Sequence, residues 1–237
     1  MPLTDDVYLA SLERDVVAMA LCIDAGPLSA PVAGCPGWDL RQLVVHLGRT
    51  HRWATAALAS TEQPTYPRRP DDGRLAEWFA EGAADLVTAL RSADPRQPCW
   101  SFSPETRTVA FWVRRQALET AVHRWDAQHA LGRPERIDAA VAADGVDEVA
   151  RVFYPRQVAL GRREALPDAV TLRPDDAGEP VDVGDGRPVA EVSGPAEDLL
   201  LALWQRRAGG DLVRDGVLRV DGDREAALRA LTEVLVP

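Results

Sequence analysis

The chain of 237 residues is long enough for one large domain or two small ones. Apolar residues make up 46% of it, which is typical of a globular protein with a buried core. The 27 basic and 37 acidic side chains leave a net charge of −10, and such a chain repels phosphate backbones and anionic lipid. We therefore expect neither nucleic acid nor a membrane surface as a partner.

Cysteine usage and the N-terminal segment predict a reducing cytoplasmic location. The three cysteines, Cys22, Cys35 and Cys99, are odd in number and widely spaced, which argues against a disulfide framework. They form no CxxC pair, and for Cys35 and Cys99 we expect the ordinary role of a small buried side chain. The N-terminus carries acids where a signal peptide needs bases, and no stretch approaches ~18 uninterrupted apolar residues.

Five helices are predicted in the N-terminal two thirds of the chain, where apolar residues recur at helical spacing. We expect them from Thr4 to about Gly26, from Asp39 to before Thr61, from about Asp72 to Arg91, from about Thr106 to Leu131, and from about Ala139 to Tyr154. Asp39 suits the N-cap of the second helix, because its carboxylate can accept hydrogen bonds from free backbone N–H groups.

After residue 160 the pattern changes to short strands alternating with helices. We expect strands at Ala169–Arg173, Pro188–Ser193 and Val217–Val220, and helices from Pro195 to Gly209–Gly210 and from Asp223 to Val236. The sequence therefore predicts an α+β fold in two domains, a helical bundle over residues 1–155 and a smaller α+β domain over residues 156–237.

Two predicted helices carry a possible metal site. Glu119 and His123 are four residues apart, so their side chains project from the same face of the fourth helix. His46 lies among apolar residues of the second helix, on the side that is expected to face the core. Three such donors with a fourth position left open are typical of catalytic zinc, although iron, nickel and manganese also accept imidazole and carboxylate.

Ordinary structural roles compete with this interpretation. A Glu-x-x-x-His pair on a helix is common and usually solvated, and His46 alone would suit a hydrogen-bonded core histidine. His51 and His129 are rotated away from the predicted ligands, so we expect them at the surface or in contact with a ligand. Asp126 follows His123 by three residues and could orient that ligand, or it could pair with a neighbouring arginine.

Two sequence runs resemble the mycothiol-dependent maleylpyruvate isomerase family. They are CPGWDLRQLVVHLG, residues 35–48, and ETAVHRWD, residues 119–126. In that family the first motif reads close to PGWxxxxLxxHL and the second close to ExxxHRWD. The resemblance implies that His46, Glu119 and His123 bind a divalent metal, and that a DinB-like four-helix bundle precedes a small α+β domain.

The same resemblance extends more weakly to the C-terminal part. The run from Asp198 to Arg207 resembles a helix in which the family keeps an arginine that is important for activity. Arg207 is the better match, with Arg206 beside it, although the family often has glycine before that arginine and this chain has Arg206 there. A cation near a helix C-terminus is the ordinary alternative for either residue.

The resemblance implies a metal-dependent thiol enzyme that uses mycothiol, the low-molecular-weight thiol of actinobacteria. The metal, for which zinc is expected, would activate the thiol for addition to an electrophilic small molecule. Isomerisation follows if the thiol leaves again, and S-transfer follows if it stays. Arg206 or Arg207 would hold a substrate carboxylate between the domains.

Two other functions remain open. The first is a non-catalytic DinB-like protein that binds a metal or a small molecule, because a fold does not fix a function. The second is a hydrolytic zinc enzyme, for which Asp126 would be the candidate general base.

Overall fold

The computed structural model describes residues 3–69, 73–103, 105–233 and 235–236 of the chain. These residues group into two compact units, an N-terminal one over Thr4–Glu135 and a C-terminal one that starts at Arg136 and also includes Leu3. The fold is mixed α+β, as predicted: a helical N-terminal region is followed in the chain by a small region of sheet and helices. No helix in the described ranges combines the length and the apolar character that crossing a lipid bilayer requires.

Four long helices build the N-terminal unit. They are α1 (Asp5–Ala25), α2 (Leu40–Leu58), α3 (Leu75–Ser92) and α4 (Val109–Ala130). Helix α1 packs against α3 and α4, and α2 packs against the same two helices. Each helix therefore has at least two neighbours, and the apolar side chains of all four meet in one core, as in a four-helix bundle.

Local sequence explains where α2 begins. The Asp39 carboxylate accepts a hydrogen bond from the backbone N–H of Gln42 at 2.8 Å, and the Gln42 side chain accepts one from the backbone N–H of Asp39 at 3.0 Å. This reciprocal pair satisfies two of the N–H groups that a helix start leaves open. The prediction of Asp39 as N-cap is confirmed.

Helix α4 is buried on nearly all sides. Its buried residues include apolar side chains such as Trp112 and Leu118, and also polar ones such as Gln116, Thr120 and Arg124. Polar groups on a buried helix must find partners inside the protein or bind something there. A binding or catalytic site in the bundle is therefore most expected on this helix.

The predicted helices of this unit are confirmed with small shifts at their ends. The third was expected from Asp72, which lies outside the described residues, and α3 is observed from Leu75. The fourth was expected from about Thr106 to Leu131, and α4 begins at Val109.

The C-terminal unit contains α5 (Ala139–Glu148), a π-helical segment (Val149–Phe153), α6 (Tyr154–Ala159), and then strands and helices in alternation. These are β1 (Val170–Pro174), β2 (Val181–Val183), β3 (Ala190–Gly194), α7 (Ala196–Leu203), α8 (Gly209–Arg214), β4 (Arg219–Gly222) and α9 (Arg224–Thr232).

The four strands form one mixed sheet in the order β2-β1-β3-β4. Strand β1 pairs antiparallel with β2 and parallel with β3, and β3 pairs antiparallel with β4. Helices α7 and α9 contact β1 and β3, where Val170, Leu172 and Val192 are buried. On the exposed residues of the same strands, Arg173 and Glu191 form a two-bond ion pair. One face of the sheet is therefore apolar and covered, and the other is polar.

Several elements of this unit differ from the prediction. Strand β2 was not predicted, because its three residues are too few for a recognisable alternation. The Gly209–Gly210 pair was expected to end a helix, but it begins α8, while α7 ends earlier at Leu203. The closing helix was expected to reach Val236, but α9 ends at Thr232.

The change in sequence pattern predicted a domain boundary at residue 155, and this boundary stays a prediction. In the structure α5 groups with the C-terminal unit, because it packs against α7. Gly145 provides the close approach, since a Cβ atom there would lie 2.9 Å from Leu200 Cδ1.

Candidate metal centre

His46 enters the site from α2. Its Nε2 lies 3.2 Å from Glu119 Oε1, and its side chain is 32% exposed, so it forms the open side of the group. The Trp38 ring lies beside the imidazole with 5.0 Å between ring centroids. Trp38 belongs to the turn that leads into α2, where Gly37 takes a positive φ of 83° that favours glycine. The turn thus places the Trp38 ring next to His46.

Glu119 and His123 enter from α4, one helical turn apart. His123 Nε2 lies 3.3 Å from the same oxygen, Glu119 Oε1, and both side chains are at least nine-tenths buried. The ligand atoms of His46, Glu119 and His123 all lie within 4.8 Å of one another. The structure therefore brings together the three residues that the sequence predicted as ligands.

The spacing of these atoms fits a small divalent cation. Around a tetrahedral zinc ion with bonds of about 2.0–2.1 Å, any two ligand atoms lie about 3.3 Å apart. The two distances to Glu119 Oε1, 3.2 and 3.3 Å, match that value. Two imidazoles and one carboxylate are also a donor set that zinc accepts in catalytic sites. The residues present therefore fit the metal that the resemblance implied.

Asp126 fixes the orientation of His123. Its Oδ2 lies 3.0 Å from His123 Nδ1, and its side chain is fully buried. A carboxylate on Nδ1 holds the proton there and leaves Nε2 free to face Glu119. Cys35 also approaches this carboxylate, with Sγ 3.8 Å from Asp126 Oδ2. The expectation that Cys35 is simply a small buried side chain is wrong, because it is half-buried and its sulfur lies close to His123 and Asp126.

Arg115 is a buried partner of Glu119 that was not predicted from the sequence. It lies one turn before Glu119 on α4, is buried, and donates from Nη2 to Glu119 Oε2. The signal was present, since Arg115 and Glu119 stand four residues apart, but such pairs are common on helix surfaces. Cys35 offered no comparable signal, because only the folded turn brings it to Asp126.

Charge compensation in the site favours a cation. Burial alone would raise the pKa of Glu119, but Arg115 and the two histidines hold that pKa well below its usual range. Burial opposes the charged form of His123, but Glu119 and Asp126 raise its pKa above the ordinary value. Glu119 thus stays a carboxylate, and a proton or a metal ion is attracted to His123 Nε2.

The segment that contains Tyr66 and Pro67 packs against α2 about one turn after His46. Thr50 donates to the His46 carbonyl at 3.0 Å, and its hydroxyl lies 3.3 Å from that of Tyr66. Arg49 donates to the Pro67 carbonyl at 2.7 Å and lies over the Tyr66 ring. These contacts hold an exposed aromatic residue on the side of α2 that carries His46.

The other two histidines lie apart from the ligand group. His51 is fully buried, with Nε2 3.0 Å from Thr120 Oγ1, so the expectation of a surface position is wrong. Burial lowers the pKa of His51 to about 3, which keeps the ring neutral. His129 is exposed and stacks on Trp125 with 4.7 Å between ring centroids.

The two predicted arginines both lie after the end of α7. Arg207 forms an ion pair with Asp198, which lies at the start of the same helix. Arg206 donates from Nη1 to the Trp204 carbonyl at 2.7 Å and lies over the Trp204 ring. Gln205 precedes them with a φ of 59°, a left-handed conformation that is uncommon for a residue other than glycine. Its side-chain amide donates to the carbonyls of Ala202 and Leu231, which holds this turn.

Comparison with protein families gives two matches that together span most of the chain. A model described as the mycothiol maleylpyruvate isomerase N-terminal domain matches residues 9–128. A model described as the MDMPI C-terminal domain matches residues 140–229. The first contains all three predicted ligands, and the second contains Arg206 and Arg207. No curated protein sequence matches the chain significantly.

Two solved structures share the fold. One is a crystal structure of a histidine-to-alanine mutant of the mycothiol-dependent maleylpyruvate isomerase, with a TM-score of 0.66 and 13% identity over 93% of this chain and 95% of that one. The other is a crystal structure of the mycothiol-dependent maleylpyruvate isomerase, with a TM-score of 0.61 and 14% identity over 84% of this chain and 88% of that one. At these identities the likeness shows the fold alone.

Proposed function

Since the chain belongs to the mycothiol maleylpyruvate isomerase family, we propose that it is a mycothiol-dependent isomerase that activates the thiol at a metal held by His46, Glu119 and His123. The metal is proposed to be zinc. The substrates are the small-molecule thiol and an electrophilic small molecule.

One observation carries the proposal. Three donor atoms from two helices converge on one point, while one member of the group, His46, remains partly exposed. An ion-pair network with a purely structural role does not require a solvent-exposed member such as His46. An open side next to three nitrogen and oxygen ligands is what a catalytic metal requires.

The chain's own residues have distinct parts in this proposal. His46 Nε2, Glu119 Oε1 and His123 Nε2 hold the cation, and Asp126 keeps the proton on His123 Nδ1. A divalent cation in this position would stabilise the thiolate form of a thiol at neutral pH. Trp38, beside His46, would border the thiol and shield it from water.

The thiol and the electrophile are the only two reactants. The thiolate sulfur forms a bond to one carbon of a conjugated double bond, and the electron pair moves onto the activating carbonyl. Rotation about the resulting single bond and departure of the thiolate restore the double bond in the other geometry. No atom is gained or lost, so the net result is isomerisation; a thiol that stays bound after protonation of the adduct would give S-transfer instead.

We further propose that Arg206 or Arg207 binds a carboxylate of the electrophile. A guanidinium recognises a carboxylate through two parallel hydrogen bonds. Arg207 is already paired with Asp198, so a substrate carboxylate would compete with that partner. Each arginine is replaced by glutamine in turn. The variant that lacks the carboxylate-binding arginine should show a raised KM for a carboxylate substrate, and both variants should bind the cation as wild type does.

Cobalt substitution tests the proposal directly. The cobalt protein is titrated with mycothiol and its visible spectrum recorded, and a panel of carboxylate-bearing electrophiles is then assayed with mycothiol present or absent. We expect a sulfur-to-cobalt charge-transfer band and thiol-dependent isomerisation, with both lost in His123→Ala.

His129→Ala serves as the control, because this exposed histidine lies apart from the ligands. Retained activity in a metal-free His123→Ala protein would refute the mechanism. A cobalt protein that binds the thiol but turns over no electrophile would favour the non-catalytic binding protein instead.

A further inference from the structure

The two oxygens of the Glu119 carboxylate have different partners. Oε1 faces both histidines, at 3.2 Å from His46 Nε2 and 3.3 Å from His123 Nε2. Oε2 accepts a hydrogen bond from Arg115 Nη2. The carboxylate is thus divided between a ligand side and an arginine side.

Arg115 is placed to maintain this division. Its side chain is 4% exposed, and it lies one turn before Glu119 on the same helix. A buried guanidinium and a buried carboxylate are held together strongly, because water is not available to replace either partner. Oε2 is therefore committed to Arg115 and is not available to a cation at the histidines.

The number of ligand oxygens matters to an open metal site. A carboxylate can bind a cation through one oxygen or through both, and the second oxygen occupies a further coordination position. Two imidazoles and one oxygen leave room for an added ligand, as catalytic zinc sites do. Two imidazoles and a two-oxygen carboxylate would fill that room from the protein itself.

We propose that Arg115 is a positioning residue that restricts Glu119 to one ligand oxygen and so keeps a coordination position free for the substrate thiol. This inference rests on the proposed function, since it takes the metal at these three residues as given. It assigns to Arg115 a part in thiol binding rather than in binding the metal.

The charge of Arg115 acts in the same direction. The guanidinium compensates the Glu119 carboxylate, so a cation bound at Oε1 retains more of its positive charge for a fourth ligand. It also repels the cation. Removing Arg115 should therefore weaken thiol binding without weakening metal binding.

The test uses the full-length protein loaded with cobalt, comparing wild type with Arg115→Met. Cobalt affinity is measured by competition with a chromophoric chelator, and mycothiol affinity from the charge-transfer band. We expect Arg115→Met to bind cobalt within about threefold of wild type or more tightly, and mycothiol at least about tenfold more weakly. The infrared splitting between the two carboxylate stretching bands of the metal-loaded protein should narrow, as it does when a carboxylate changes from one-oxygen to two-oxygen binding.

Two further variants make the result decisive. Arg124→Met removes another buried arginine of α4, whose contacts include Asp15, Gln128 and the Glu135 carbonyl, and should leave mycothiol affinity unchanged. Arg115→Lys keeps the positive charge but loses the planar guanidinium with its fixed N–H donors. Its mycothiol affinity should be intermediate between those of wild type and Arg115→Met. If Arg115→Met does not fold, Arg115→Lys decides alone.

Wild-type mycothiol affinity in a folded Arg115 variant would overturn the inference, and so would loss of cobalt and mycothiol together. The infrared measurement needs no thiol. If wild type itself binds cobalt but not mycothiol, the proposed function fails, while a narrowed splitting in Arg115→Met would still support the positioning role toward the metal.

Discussion

His51 shows at the scale of one residue how burial changes an ionisable side chain. It is fully buried beside Phe79 and accepts or donates one hydrogen bond, at Thr120 Oγ1, while no partner of its Nδ1 is found among the described residues. Burial lowers its pKa to about 3, from an ordinary histidine value of 6.5. The folded protein therefore contains a neutral imidazole that the unfolded chain would protonate.

This shift predicts a pH dependence of stability with a definite sign. Between pH 6.5 and pH 3 the unfolded state binds one more proton at His51 than the folded state, so the free energy of unfolding falls as pH falls. The expected slope from this residue is about 1.4 kcal/mol per pH unit in that window. Urea unfolding of the metal-free protein at pH 5 and pH 7 measures it.

His51→Gln removes the titration, so its stability should change less between these two pH values than that of wild type. His129→Gln should behave as wild type, because that histidine is exposed. Equal pH slopes for wild type and His51→Gln would contradict the prediction.

The proposed ligands could be named one by one from the sequence, but their surroundings could not. His46, Glu119 and His123 could be predicted from helical spacing and from two short motifs. Their convergence depends on helix packing, and the contacts from Arg115 and Cys35 depend on it as well. An arginine four residues from a glutamate has the same sequence pattern whether it is exposed or buried beside a metal ligand.

At the scale of helices, Gly48 controls how α2 and α3 approach. A Cβ atom at this position would overlap the Trp78 ring of α3. That ring lies under the Arg52 guanidinium, whose Cζ is 4.1 Å from the ring centroid, and Arg52 also donates to the Trp78 carbonyl. The ring thus contacts α2 at Gly48 and at Arg52, and Arg52 anchors the residue through its carbonyl.

We expect Gly48→Ala to destabilise the protein by about 1–3 kcal/mol, as overpacking of a core does. This would outweigh the gain of about 1 kcal/mol that alanine normally brings inside a helix. Gly210→Ala is the matched control, because nothing lies within 4 Å of a Cβ atom there. Urea unfolding of both variants measures the difference, and equal stabilities would show that α3 can shift without penalty.

Elements with strong local signals were predictable, and those that depend on tertiary contacts were not. Asp39 and Asp223 accept backbone hydrogen bonds as expected for helix starts. Strand β2 has only three residues and is defined by pairing with β1. Helix α8 begins at two glycines, residues that disfavour helix, and packs against α9. In both cases a neighbouring element stabilises what the local sequence does not specify.

At the scale of the whole molecule, the sequence and the structure place the domain boundary differently. The sequence pattern predicted it at residue 155, because helices continue to that point. In the structure the units divide after Glu135, and α5 lies with the C-terminal unit. Periodicity shows that a segment is helical but not which neighbour covers its apolar face, so α5 could not be assigned from sequence.

Two fragments distinguish the boundaries. All three proposed ligands precede Glu135, so a fragment of residues 1–135 should fold and bind cobalt with an affinity close to that of the full chain. A fragment of residues 1–155 adds α5, whose Val141 and Val146 are buried and which packs on α7 in the structure. Without α7 those side chains would be exposed, so the longer fragment should bind cobalt equally well but self-associate at lower concentration, as analytical ultracentrifugation would show. An unfolded short fragment together with a monomeric, cobalt-binding long one would instead support the boundary at residue 155, with α5 required by the metal-binding bundle.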